Sequence, residues 1–271
     1  MKRRFRPGWS WALLLCAVAA AAQPALMAPL TESIELGGGE AQVDVYQPGV
    51  ASPMGVAIVA HGFTRTRVRH GNLGRALAAA GVTAVIPDLP NVMDLWGNGD
   101  AVVELVGKLE AGVFGMSPVA RSRIVLMGTS AGGLATVLAA ARLPGIAGWI
   151  GLDPVDRTGT GADAIARLTA PAVVMLANAS GCNLFGSGRT IGAAAPHLLR
   201  MAVMEGASHC DFEDPTNNFC RVICGRSSAE MQARIRDETV ATVLDMLNRT
   251  SVDTPNPRVT GPADEPAEKP E

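Results

Sequence analysis

The chain is expected to fold as an α/β protein, a doubly wound and mostly parallel sheet with helices on both faces. Three observations predict this. From Gly55 to Asn248 short apolar runs alternate with stretches of helical periodicity, as in successive strand–helix–strand units. The apolar runs are continuous rather than alternating, Gly-Val-Ala-Ile-Val-Ala at 55–60 and Ala-Val-Val-Met-Leu-Ala at 172–177, as expected of strands covered on both sides. Gly128-Thr129-Ser130-Ala131-Gly132 then joins an apolar run, Ile124-Val125-Leu126-Met127, to a stretch rich in Ala and Leu: strand, sharp turn, helix. The 271 residues are 48% apolar and 18% charged, enough to bury a large core in one domain or to form two small ones.

The elements follow in order. Ser33 to Tyr46 alternates around Gly37-Gly38-Gly39 and reads as a β-hairpin. Gly55 to Ala60 is a buried strand, Leu73 to Ala80 a helix, Thr83 to Pro87 a strand and Ala101 to Glu110 a helix. Ile124 to Gly128 and Gly148 to Leu152 are strands flanking the helix after Ser130. Ala172 to Ala177 and Met201 to Glu205 are further strands. Ala229 to Asn248 carries Met231, Ile235, Val240, Val243, Leu244 and Leu247 at helical spacing and closes the domain, which spans 30–250.

The two ends read differently. Lys2, Arg3, Arg4 and Arg6 precede an apolar run from Trp9 to Ala22, the layout of a signal peptide over 1–22, with Ala20-Ala21-Ala22 or Ala25-Leu26-Met27-Ala28 as cleavage sites. A retained anchor is the alternative, although the run is short for a span, and no stable membrane span is expected in the mature chain. Ser251 to Glu271 is Pro-rich and acidic without apolar periodicity, a disordered tail. The expected location is secreted or periplasmic. Once Cys16 leaves with the leader, Cys182, Cys210, Cys220 and Cys224 remain, an even number that suits two disulfides in an oxidising compartment. Four cysteines allow three pairings. The pairing adopted is Cys210–Cys220, closing a short loop, with Cys182–Cys224 tying that loop to the sheet edge. Zinc would want short Cys spacings in both halves; Cys182 and Cys210 do not supply one, so no metal is expected. A net charge of −2 argues against a nucleic-acid partner.

The turn at Ser130 lifts a hydroxyl out of the backbone at a helix N-terminus, where free N–H groups favour developing negative charge. A serine nucleophile needs a base, an orienting acid and an oxyanion hole. Of the four histidines, His209 follows the last expected strand, at the edge where a doubly wound sheet gathers its site residues. His197 precedes that strand and reads as a surface residue. His61, in His61-Gly62-Phe63-Thr64, reads as shaping its loop. The strand 172–177 ends without a carboxylate, so the acid is sought one strand earlier. There Asp153 ends the strand 148–152 and is favoured over Asp156. Ala131 N–H and Phe63 N–H are the candidate oxyanion donors. Phe63, Leu95, Trp96, Phe185 and Phe212 are candidates to line a substrate pocket.

These motifs, in the order His61-Gly62-Phe63, Gly128-Thr129-Ser130-Ala131-Gly132-Gly133, Leu152-Asp153-Pro154-Val155-Asp156 and Ser208-His209, resemble the α/β-hydrolase fold over about residues 55–248. Within it, Leu-Asp-Pro-Val-Asp resembles chlorophyllases, and the position of the Asp is similar to that in platelet-activating-factor acetylhydrolases and their polyester hydrolase relatives. Chlorophyllases carry Arg after the nucleophile where this chain has Ala131, so their substrate is not carried over. The resemblance implies a Ser130–His209–Asp153 triad that cleaves carboxylic esters through an acyl-enzyme, without cofactor. The substrate would be a small or polymeric ester. An acyltransferase, or a non-catalytic binding protein on the same scaffold, is the alternative.

Overall fold

The computed structural model describes residues 28–91 and 93–252. The leader, Cys16 and the chain after Val252 lie outside them. Among the described residues eight strands form one sheet: β1 (Leu30–Leu36), β2 (Gly39–Tyr46), β3 (Val56–Ala60), β4 (Thr83–Pro87), β5 (Ile124–Thr129), β6 (Gly148–Leu152), β7 (Ala172–Leu176) and β8 (Leu198–Val203). Their order is β1-β2-β4-β3-β5-β6-β7-β8. β1 and β2 pair antiparallel, as does β2 with β4, and every other neighbour is parallel. Among the described residues seven α-helices accompany the sheet: α1 (Gly71–Ala79), α2 (Leu95–Ala111), α3 (Ala131–Ala140), α4 (Thr160–Ile165), α5 (Gly188–Ala194), α6 (Asn218–Cys224) and α7 (Ala229–Val252).

Strand pleating explains why the central runs are apolar throughout. Side chains alternate between faces. Ile58, Leu126, Trp149 and Val174 therefore pack under α2, α3, α4 and α5, with Leu105, Leu138, Ile165 and Ile191. Their neighbours Val59, Met127, Ile150 and Val173 pack on the other face under α1 and α7, with Leu77, Ile235, Val243 and Met246. These two cores fix the sheet, and the sheet holds the C-terminal ends of β3, β5, β6 and β7 side by side.

The expected fold class is the observed one, and the differences from the expected elements have local causes. α2 starts at Leu95, six residues before the expected start, because the Asp94 carboxylate caps it by accepting from Gly97 N–H at 2.8 Å. β8 starts at Leu198 because it is the outer strand, where partial exposure admits Arg200 into the run. α4, α5 and α6 are six or seven residues long, and their periodicity is too brief to read. α7 continues through Val252, past the expected start of the tail at Ser251.

His70, at the end of the 3₁₀ turn Arg67–His70, is buried with neither ring nitrogen hydrogen-bonded. Burial pushes its pKa down to about 3. The folded protein therefore keeps this imidazole neutral while the unfolded chain protonates it below about pH 6.5. The unfolded state binds the extra proton, so stability is lost as the pH falls from 6.5 toward 3. Relative to His70→Leu, the wild type is expected to lose about 3 kcal/mol of unfolding free energy between pH 7 and pH 4. Urea melts at the two pH values read this directly, and parallel losses in both proteins would refute it.

Candidate active site

Ser130 stands at the corner between β5 and α3 with φ 57° and ψ −123°, a conformation that L-residues rarely adopt. Close backbone approach holds it there. A Cβ on Gly128 would sit 2.3 Å from the Gly132 carbonyl oxygen, and one on Gly132 would sit 2.4 Å from the His61 carbonyl oxygen. The corner is tied down further. Ser130 N–H donates to Leu152 O, and Ser130 O accepts from Val155 N–H. Thr129 Oγ1 donates to Phe212 O at 3.3 Å, linking the corner to the segment that follows His209.

Asp153 follows β6 directly, has φ 45°, and is fully buried. Its Oδ1 accepts from Ala177 N–H at 2.9 Å, at the end of β7, and its Oδ2 lies 2.6 Å from His209 Nδ1. Asn183 Nδ2 donates to the same carboxylate at 3.2 and 3.3 Å. The Asn183 oxygen in turn accepts from Ser180 and Gly186 N–H, so the amide cannot turn over without losing both bonds. Asp156 lies elsewhere and caps α4, its Oδ2 accepting from Ala162 N–H at 2.9 Å.

His209 opens a 3₁₀ turn, His209–Phe212, after β8. The buried Asp211 sets that turn by accepting from Ser208 N–H and Oγ and from Ser228 N–H. With Nδ1 engaged by Asp153, Nε2 is the ring nitrogen left for chemistry. His209 shares a cleft of about 190 Å³ with Ser130, walled by Gly62, Phe63, Glu213, Phe219 and Ile223.

The loop after β3 carries the proposed oxyanion donor. A Cβ on Gly62 would lie 3.1 Å from Ser130 Cβ, so the loop closes against the serine. His61 is structural: Nδ1 donates to Gly62 O and Nε2 accepts from Leu89 N–H, both at 2.9 Å. Burial holds its pKa below the usual value, in keeping with this neutral tautomer. Ala131 opens α3, so its N–H has no partner within the helix. Phe63 N–H meets no protein acceptor among the described residues. His197 is exposed at the opposite end of the sheet.

The aromatic pocket residues named from sequence are a correction, because Trp96, Phe185 and Phe212 do not line the cleft. Trp96 and Phe185 stand in solvent, at 53% and 79% exposure. Phe212 points into the core beside Met127 and Ile235. A roomier cavity, about 570 Å³, holds none of the candidate residues, being lined by Pro53, Thr83, Met116 and Arg123 at the other end of the strands.

Sequence reasoning also missed three features. Asn183 was visible in the loop after β7 but was read only as the absence of a carboxylate. Arg65 forms a two-pronged ion pair with Glu213, Nε–Oε1 at 2.6 Å, and donates to Asn217 Oδ1 at 3.0 Å. It thereby joins the Phe63 loop to the His209 loop. A pair 148 residues apart leaves no local signal. Third, α6 walls the cleft with Phe219 and Ile223.

Disulfides join Cys182 to Cys224 and Cys210 to Cys220, with Cα separations of 5.5 and 5.9 Å. This is the pairing adopted from sequence. The Cys210, Cys220 and Cys224 sulfurs lie within 4.8 Å of one another, but each is half of a disulfide rather than a thiolate ligand.

No protein-family model and no curated protein matches the chain. Solved structures do. Dienelactone hydrolase from Anabaena variabilis superposes with a TM-score of 0.63 at 17% identity, covering 81% of this chain and 99% of that one. The esterase domain of a Rhodothermus marinus protein superposes with a TM-score of 0.59 at 15% identity, covering 80% and 98%. The shared architecture is the α/β-hydrolase fold. Among the described residues no helix is long and apolar enough to cross a membrane.

Proposed function

We propose that the protein is a serine hydrolase that cleaves carboxylic esters, with Ser130 as nucleophile, His209 as general acid–base and Asp153 as the acid that orients it. The observation that carries this reading is the 2.6 Å contact of Asp153 Oδ2 with His209 Nδ1, in a cleft that His209 shares with Ser130. Ser130 Oγ attacks the ester carbonyl carbon as its proton passes to His209 Nε2. The carbonyl electron pair moves onto oxygen, where Phe63 and Ala131 N–H groups meet it. Collapse breaks the bond to the alcohol oxygen, which takes the proton from His209. Water then repeats the sequence on the acyl-enzyme, and its oxygen ends in the released acid. Both structural neighbours bear names of hydrolytic enzymes, one acting on a lactone and one an esterase.

The proposal extends to the layout of the chain. A leader over 1–22 is removed on export, a hydrolase domain occupies 30–250, and the protein works in the periplasm or outside the cell. The two disulfides support an oxidising compartment. A fluorophosphonate probe with peptide mapping tests the chemistry. A single adduct on Ser130, together with hydrolysis of p-nitrophenyl acetate, is expected. An adduct elsewhere, or none, would remove the basis of the assignment.

A further inference from the structure

α6 is inverted relative to an ordinary surface helix. Phe219, Val222 and Ile223, spaced i, i+3 and i+4, form one stripe and are 66%, 81% and 62% exposed. Cys220 and Cys224 lie on an adjoining face, and Cys220 is the helix's buried residue. The helix is attached by two disulfides and by its Asn217 cap, which accepts from Cys220 N–H and from Arg65. Covalent attachment thus does what apolar packing does for the other helices, and it holds apolar side chains out in water. Two of them, Phe219 and Ile223, wall the same cleft as Ser130 and His209. Glu213, the carboxylate in that cleft, is neutralised by Arg65 and brings no net charge.

The position of α6 says which part of a substrate would lie on it. His209 must reach the leaving oxygen to protonate it, so the alcohol half of an ester lies on the histidine side of the cleft. α6 is bonded through Cys220 to Cys210, the residue next to His209. Resting on the ester-hydrolase reading above, we propose that Phe219 and Ile223 bind an apolar chain carried by the alcohol half, so that the preferred substrates are esters of long-chain alcohols.

Two homologous series assayed with the full chain test this: alkyl acetates from ethyl to octyl, and p-nitrophenyl esters from acetate to octanoate. kcat/KM is expected to rise about two- to fourfold per methylene along the acetates and to rise less along the p-nitrophenyl series. Phe219→Ser with Ile223→Ser should lower the octyl-to-ethyl ratio at least tenfold. Val222→Ser, outside the cleft, should leave that ratio unchanged. All three positions are exposed, so none of these variants removes core packing. A flat acetate series, a steeper slope along the acyl series, or a double variant with the wild-type ratio each overturns the proposal. If no ester in either series is cleaved and the fluorophosphonate leaves Ser130 unlabelled, the ester-hydrolase reading itself fails.

Discussion

Ser130→Ala is expected to lower kcat on p-nitrophenyl acetate by about 10⁴- to 10⁶-fold, because a nucleophile and its base act as a unit and the remainder cannot form an acyl-enzyme. The fold should survive. Alanine keeps the Cβ that the corner already accommodates, and the backbone bonds of Ser130 to Leu152, Val155 and Gly133 do not involve the hydroxyl. Glycine would be a poorer control, since it relaxes the positive φ and lets the corner move. Unchanged far-ultraviolet circular dichroism with a collapsed rate separates chemistry from folding. A loss of less than tenfold would mean that some other group attacks the ester.

Asp153→Asn is expected to lower kcat by about 10⁴-fold, the scale seen when a triad acid is made neutral. The geometry gives the cause. An ionised Asp153 accepts from Nδ1–H and so leaves Nε2 bare to take the serine proton. An asparagine that donates to Nδ1 fixes the other tautomer, in which Nε2 already carries its hydrogen. Replacement also sets the Asn side chain against the Asn183 amide, which at present donates to both carboxylate oxygens. Asp156→Asn should change kcat no more than a few fold, since that carboxylate caps α4 and does not touch His209. Equal losses at the two positions would show that the strand-end argument selected the wrong carboxylate.

The parts of this molecule that were legible in the sequence are those set by local rules. Double burial wrote β3, β5 and β7 as unbroken apolar runs, and the corner at Ser130 required small residues at fixed spacing. Asp153 and His209 could be chosen because a strand end is both a sequence position and a place in the sheet. The cleft wall was not legible for the opposite reason. Phe212 and Phe219 are both phenylalanines near the base, yet one turns inward between β5 and α7 and the other stands out on a helix held by disulfides. Which way a side chain faces there depends on covalent links and on the Arg65–Glu213 pair, neither of which has a periodicity. α6 is too short, and its apolar stripe too exposed, for the usual inference from apolar spacing to burial.

The packing around Gly128 and Gly132 bears on how far such a motif can be taken as a marker of catalysis. Each glycine is required by a main-chain atom a little over 2 Å from where a Cβ would go, and neither requirement involves the serine hydroxyl. Selection for a folded chain alone would retain both. A descendant that had lost Ser130 or His209 would keep the two glycines as a fossil of the architecture, still reading as G-x-x-x-G. In a genome survey the glycines therefore count toward ancestry, and a vote for activity should rest on Ser130, on His209 and on the Asp153 carboxylate that His209 contacts.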